Sequence, residues 1–418
     1  MANLSKKKFK SEFLHTLSDR GFIHQTSNDD DVDHYLHNEN AVGYIGFDLT
    51  AKSLHVGSLL QIMLLKWMQV YDHKPIILFG GGTTLIGDPS GKDETRKIIE
   101  EHDIGQNEIG ILKIFKKFLN LDENKIFVEN NAKWLKDLNY ISFLRDYGKH
   151  FTLNRMLAFD SVKLRLDREQ PLTFLEFNYM LFQAYDYLEL FRRHGCKVQM
   201  GGSDQWGNII NGIELIRRTC KNEVYAITTP LITTASGAKM GKTADGAVWL
   251  DEDLTDPYDF WQFWRNTDDK DVIRFLKLFT DISMEEINKL SKLKGVEINE
   301  AKKILANELT KNTHGEEVSK KVYNSALETF EKKVISENLP VKILNTSSFS
   351  DGYGLLSILV EVGFASSNSE ARKSIQNGAV RLNDINVNDP SKIFSSEEIN
   401  GSKLSFGKKK HLLLRINN

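Results

Sequence analysis

AVGYIGFDLTAKSLHVGSLLQIMLLKWMQVYDHKPIILFGGG, residues 41–82, decides the architecture. Its opening AVGYIGFDL is an apolar run of strand length. From His55 to Tyr71 the apolar residues fall at Val56, Leu59, Leu60, Met63, Leu64 and Trp67. That is helical period, and it offers one face to a sheet. KPIILFGGG then reads as a buried parallel strand running into a glycine cluster. Strand, helix and strand in this order make a βαβ unit, which predicts a doubly wound α/β domain.

Outward from this unit, residues 1–40 read as polar and helical. His34 and His37 sit three apart there on a solvent-facing stretch. Further α/β sequence runs to about residue 230, including a short strand over Cys196–Met200 that Gly201 and Gly202 turn into a helix. From Asp256 the sequence becomes helical to about 335. Asp256 as N-cap with Pro257 behind it starts one helix, and Ser283 with Glu286 caps another. Residues 336–352, SENLPVKILNTSSFSDG, read as a linker. A last small domain, 353–418, has Ser367 and Glu370 opening a helix, Gly378 closing it, and VRLNDINVN as a tight hairpin. The expected domains are therefore 1–230, 231–335 and 353–418.

The chain has 418 residues, 40% hydrophobic and 27% charged, enough for two or three domains with a sizeable core. The net charge of -2 gives no global attraction for nucleic acid. Its distribution does. From Ser366 onward nine Lys/Arg face five Asp/Glu, a net of +4, leaving -6 for the rest. A basic tail on an acidic body suits a polyanion. Two cysteines without a CxxC favour a reducing compartment and disfavour a zinc site. The N-terminus lacks an apolar signal core, and no run of 18 apolar residues occurs, which disfavours secretion and membrane spanning.

Five stretches carry chemistry. In the first, Asp48 to Ser58, a helix mouth at His55 offers unpaired N–H groups and partial positive charge to a phosphate, with Thr50 and His55 as side-chain donors. It is no P-loop: Lys92 is followed by Asp93, and Ile86 stands where that motif needs glycine. The second, Gly81 to Arg96, leaves a sheet strand with one carboxylate, Asp88, for a cation, and with Lys92 and Arg96 for phosphate. In the third, FLEFNYMLFQAYDY, Tyr179, Gln183 and Asp186 share one helix face among aromatics, a pocket pattern for an aromatic ligand with polar ends. In the fourth, QMGGSDQWGN, Asp204 can take a ribose hydroxyl pair and Gln205 a carbonyl. Lys239 and Lys242, on a loop with Gly237 and Gly241, complete the positive charge.

With these residues in hand, the chain resembles the bacterial-type tyrosine–tRNA ligases, class I aminoacyl-tRNA synthetases, over nearly its whole length. YIGFDLTAKSLHVGS resembles the HIGH region, KMGKT the KMSKS loop, GGSDQWGN the bacterial tyrosyl form, and the segment from Tyr353 an S4-like RNA-binding domain. The resemblance implies a Rossmann-like catalytic domain, a helical anticodon-arm domain and an α+β S4-like domain. It implies tyrosyl-adenylate formation from L-tyrosine and ATP with Mg2+, without a tightly bound cofactor, and transfer of tyrosine to tRNA(Tyr). A cytoplasmic homodimer is also implied. Tyr44 and Asp186 would grip the phenol hydroxyl, and Asp88, Tyr179 and Gln183 the ammonium. Gly202 and Asp204 would hold the ribose, Gln205 the carboxyl end. Thr50, His55, Lys92, Arg96, Lys239 and Lys242 would surround the pyrophosphate, with Asp48, Ser58 and Thr243 also on the ATP side. Ser58 replaces the second signature histidine, and Ile45 stands where many relatives carry a cysteine; both are expected to tune ATP binding. Two other readings compete: a ligase making a small-molecule adenylate, against which the basic tail speaks, and a non-enzymatic RNA binder, against which the full set of Asp88, Asp204, Lys239 and Lys242 speaks.

Overall fold

The computed structural model describes residues 8–90, 99–235, 237, 240–243, 246–330, 339–344, 352–407 and 410–416. The chain divides into two compact units: Met1–Leu254 with Thr267–Ala301, and Thr255–Asn266 with Lys302–Asn418.

A six-stranded sheet organises the first unit. Its strands are β1 (Gln25–Thr26), β2 (Val42–Phe47), β3 (Lys74–Phe79), β4 (Phe127–Asn130), β5 (Val198–Gly202) and β6 (Tyr225–Thr229). They lie in the order β1-β6-β5-β2-β3-β4. All neighbours are parallel except β1, which runs antiparallel to β6. β2 and β3 pair in register from Val42↔Lys74 to Phe47↔Phe79. Helices cover both faces, so these strands read as continuous apolar runs, as parallel strands must. The chain builds outward from β2 through β3 to β4, then returns to the other side of β2 with β5. That reversal makes a topological switch point at the carboxyl ends of β2 and β5, where such sheets bind ligands.

The predicted βαβ unit and doubly wound fold are present. Two details differ. The helix after β2 starts later, at Leu59, behind a tight turn over Val56–Ser58. It is also buried nearly all round, with Ile62, Leu65 and Met68 as enclosed as Leu60 and Met63. The cause is distant: helices Glu101–Phe118 and Asp269–Phe279 pack against its outer side. Likewise β1 inserts a two-residue strand between the N-terminal helices Glu12–Arg20 and Asp29–Asn38.

Residues 267–301 belong with the sheet, not with the helical segment expected from 231 onward. Arg20, 4% exposed, explains the attachment. Its guanidinium donates to the carbonyls of Lys277 at 3.0 Å, Thr280 at 2.9 Å and Ile282 at 2.7 Å, and lies over Trp67. It thereby satisfies the carboxyl end of the Asp269–Phe279 helix, where a cation is favoured.

In the second unit, helix Pro257–Arg265 has Asp256 as N-cap, as its sequence predicts, and Trp261 donates to Asn307 at 2.7 Å. The C-terminal portion is a five-stranded sheet with three short helices around a core that includes Tyr353, Leu359, Ile375, Val380, Leu404 and Leu414. Asn383 and Asp384, both at positive φ, make the predicted tight hairpin. The stretch read as a linker contributes to this sheet. Val341–Leu344 pairs in parallel with Lys410–Ile416, so its VKIL is a strand hidden among turn-forming neighbours.

Candidate active site

The switch point gathers three carboxylates. Asp48 follows β2, Asp88 ends the loop beyond β3, and Asp186 projects from the helix Phe174–His194. That helix opens with a capping box between Thr173 and Glu176. It carries Tyr179, Gln183 and Asp186 along one face, as their spacing predicts. Burial first, and then the charges of all three carboxylates, push the Tyr179 phenol's pKa well above 10.

Two hydrogen-bond networks fix these groups. In one, Tyr179 OH donates to Asp48 Oδ2 at 3.1 Å and Thr83 Oγ1 to Asp48 Oδ1 at 2.9 Å. Asn131 Nδ2 reaches both Thr83 Oγ1 at 3.0 Å and Asp186 Oδ2 at 2.9 Å, and Trp134 Nε1 donates to Asp186 Oδ1 at 2.7 Å. In the other, Gln205 Nε2 donates to Asp88 Oδ2 at 2.8 Å. Asn208 Nδ2 donates to Gln183 Oε1 at 3.1 Å and Gln205 Oε1 at 3.2 Å. Thr83, Asn131, Trp134 and Asn208 were not singled out from sequence. Asn208 stood in the quoted GGSDQWGN stretch, and an Asn pair at the carboxyl end of β4 was the visible signal for Asn131.

Asp186 is 2% exposed, and burial pushes its carboxyl up to about 7, against the hydrogen bonds from Asn131 and Trp134, with the charge of Asp48 adding to the rise. Beside it stands Tyr44, 1% exposed. Burial, then the Asp186 charge, holds its phenol well above 10. Among the described residues its hydroxyl has no hydrogen-bond partner. Native structures seldom leave such a group unpaired, so a hydroxyl next to a buried carboxylate points to a ligand group that uses both. Ile45, next along β2, is buried and apolar.

The other end of the site is open. Thr50 and Asp204 are exposed. The loop before Thr50 is pinned, since Leu49 N donates to Thr84 Oγ1 at 2.7 Å and Asn107 Nδ2 to Leu49 O at 2.8 Å. A Cβ at Gly202 would lie 2.5 Å from Asp204 Oδ1, so the carboxylate leans back over the bare backbone of that glycine. His55 Nδ1 accepts from Gly57 N at 3.0 Å, which puts the proton of the neutral ring on Nε2 as a donor. Ser58, half-buried, makes no side-chain capping bond. The N–H groups expected to stand unpaired at this mouth are occupied within the chain: Gly57 N by His55 Nδ1, Ser58 N by His55 O at 2.8 Å, and Val56 N by Val248 O. The KMGKT segment lies against this turn. Gly241, at φ +82, would bring a Cβ to 2.9 Å from Val56 Cγ2. Val248 N donates to Gly241 O at 3.0 Å, and Val56 N to Val248 O at 2.9 Å. Lys242 and Thr243 form one strand of a two-residue hairpin there, described by its backbone alone. Lys92, Arg96 and Lys239 lie outside the described residues.

Buried aromatic side chains around three carboxylates, joined to an open end at the His55–Ser58 turn, suit activation of an aromatic amino acid. Residues 36–331 match the family model of class I tRNA synthetases (W and Y), and residues 336–414 that of the SYY-like C-terminal domain of tyrosine–tRNA ligases. The tyrosine–tRNA ligase of Bartonella quintana (strain Toulouse) is 56% identical, covering 97% of this chain and 99% of its own. That of Rhizobium meliloti (strain 1021) is 54% identical with the same coverage. The chain belongs to the tyrosine–tRNA ligase family. A solved relative, the C-terminally truncated mitochondrial tyrosyl-tRNA synthetase of Aspergillus nidulans, superposes with TM-score 0.69 at 30% identity, over 78% of this chain and 95% of that one. The ligase resemblance read from the sequence is thus borne out, as is the fold.

Proposed function

We infer that the chain attaches L-tyrosine to tRNA(Tyr) in two steps, through a tyrosyl-adenylate formed with release of pyrophosphate. The unpartnered Tyr44 hydroxyl beside buried Asp186 carries the amino-acid assignment. The tyrosine phenol donates to the Asp186 carboxylate and accepts from Tyr44. A phenylalanine would leave both unpaired, and a site built around a hydroxyl rejects an analogue lacking it far more strongly than pocket shape alone does. Asp88, Tyr179 and Gln183 receive the ammonium, with Gln205, already bonded to Asp88, next to the carboxylate.

The tyrosine carboxylate is already ionised and attacks the α-phosphate directly, so no protein nucleophile or base is needed. The chain supplies alignment and positive potential. Asp204 and the bare Gly202 backbone hold the ribose. His55 Nε2–H, with Thr50, Ser58, Lys92, Arg96, Lys239, Lys242 and Thr243, meets the phosphates, and the partial positive charge of the helix N-terminus behind them adds to the potential. Asp48 acts through Tyr179. Mg2+ arrives with the ATP substrate and shares the charge that grows on pyrophosphate.

The basic segment from Ser366 onward holds the tRNA, through phosphate contacts that weaken with salt. Segment 140–175 exposes Tyr140, Ile141, Leu153, Leu164 and Phe174, apolar surface that suits a homodimer. Light scattering giving the mass of one chain would contradict the dimer. Among the described residues no helix is long and apolar enough to cross a membrane. The work is assigned to the cytoplasm, where both cysteines stay free. The test is charging of tRNA(Tyr) with labelled amino acids: tyrosine should be transferred and phenylalanine and tryptophan should not. Equal transfer of phenylalanine would sink the reading.

A further inference from the structure

Beyond β6 the chain runs LITTASGAKMGKT, residues 231–243, into the segment assigned to the phosphates. Leu231 is 56% exposed, and Thr233 and Ala235 are exposed too. No side chain from 231 to 235 is buried. Apolar packing therefore does little to fix the path here, and polar contacts must. Within the stretch, Gly237 N donates to Thr234 O at 2.8 Å, and Met240 N to Ile232 O at 3.1 Å. These two bonds close the loop on itself.

Among the described residues, side chains that tie positions 233–235 to the rest of the unit come from the helix Asp269–Phe279, which is capped by Asp268. Asp271, in its first turn and 5% exposed, accepts from Ala235 N at 2.6 Å through Oδ2. Arg274, three residues on and so on the same face, donates to Thr233 O at 3.2 Å. One helix face thus grips a carbonyl and an N–H two residues apart. The short bond to an ionised acceptor is the stronger of the two. The support behind it is rigid: Val272, Phe275, Leu276 and Phe279 are buried, and Arg20 holds the carbonyls at the far end. A carboxylate buried this deeply is costly unless its bonds are used. Its bond goes to the backbone that leads into KMGKT.

We propose that Asp271 and Arg274 are positioning residues for adenylate formation, clamping the backbone at Thr233 and Ala235 so that the KMGKT segment meets the phosphates of ATP against the His55–Ser58 turn. The proposal rests on the ligase reading, because only there do the phosphates lie on that side. It predicts a split. Asp271 and Arg274 touch neither Tyr44 nor Asp186, so losing the clamp should spare tyrosine and penalise ATP.

The experiment is tyrosine-dependent ATP–pyrophosphate exchange on the full chain, with tyrosine affinity measured separately without ATP. Asp271→Ala should lower kcat/KM for ATP about tenfold, the scale of one lost charge-assisted hydrogen bond, and Arg274→Ala about threefold. Tyrosine affinity should stay within about twofold of wild type in both, the range of substitutions remote from a site. Asp271→Asn, whose amide oxygen can still accept from Ala235 N, should recover most of the loss. ATP parameters unchanged in folded Asp271→Ala, or tyrosine affinity falling in parallel, would overturn the proposal. If Asp271→Ala does not fold, Arg274→Ala decides alone, and an unchanged ATP value there overturns it. Absence of exchange in the wild type would instead remove the ligase reading.

Discussion

The two ends of the site are built on opposite plans. At the amino-acid end, Asp186 and Tyr44 are sealed, and side chains from three sheet connections, β3–β4, β4–β5 and β5–β6, hold the carboxylates in place. At the nucleotide end, Thr50 and Asp204 are exposed, and the offered groups are a glycine backbone and one ring nitrogen in front of a helix N-terminus. The closed end discriminates, because burial makes an unpaired polar group expensive. The open end must accept and release a triphosphate, so its groups stay hydrated until the ligand arrives.

The largest effect that this contrast predicts lies at the closed end. Asp186→Ala should cut kcat/KM for tyrosine by roughly 100-fold or more while leaving phenylalanine little changed, since a buried bond to a charged group is lost. Steady-state exchange with both amino acids checks it, and equal losses for both would remove Asp186 from the discrimination. Next, Asp204→Ala should raise KM for ATP by roughly 10-fold, less than a buried contact would give because the group is exposed. A change in tyrosine affinity there would blur the division between the two ends.

Acidity separates the ends more finely. With the Asp186 carboxyl near 7, its ionised form, which accepts the phenol proton, is depleted below that pH. Tyrosine affinity should fall about tenfold between pH 8 and 6 and become flat in Asp186→Asn. The stability of the empty protein should move the other way. Asp186 has its pKa raised on folding, so the folded state binds the extra proton between the unfolded value, near 4, and about 7. Its contribution to stability therefore declines as pH rises through that window. Thermal melts of the wild type and Asp186→Asn across it test the sign.

The smallest effect concerns Tyr44. Its hydroxyl has no partner among the described residues, so Tyr44→Phe should weaken tyrosine about fivefold yet leave the melting temperature unchanged or higher. A lower melting temperature would mean that the hydroxyl serves the fold.

Much of this was legible because it is periodic or contiguous. The βαβ unit showed in alternating strand and helix periods, and Tyr179, Gln183 and Asp186 showed as polar breaks on an aromatic helix. What was missed is non-local. Asn131 and Trp134 support Asp186 from a connection more than fifty residues earlier in the chain. The burial of Leu59–Val70 nearly all round depends on a helix that begins at Asp269, and Asp271 meets Ala235 only after that packing. β1 and Val341–Leu344 escaped because two and four residues are too few to show a period and their partners lie far along the chain. The resemblance supplied roles that spacing alone left open, such as the assignment of the phenol to Tyr44 and Asp186.

The central claim is that this chain activates tyrosine and reads its hydroxyl. ATP–pyrophosphate exchange by the purified wild type, run with tyrosine, phenylalanine and tryptophan in turn, tests it most directly. The account predicts exchange with tyrosine and none above background with the other two; exchange that is absent with tyrosine, or equal with phenylalanine, contradicts it.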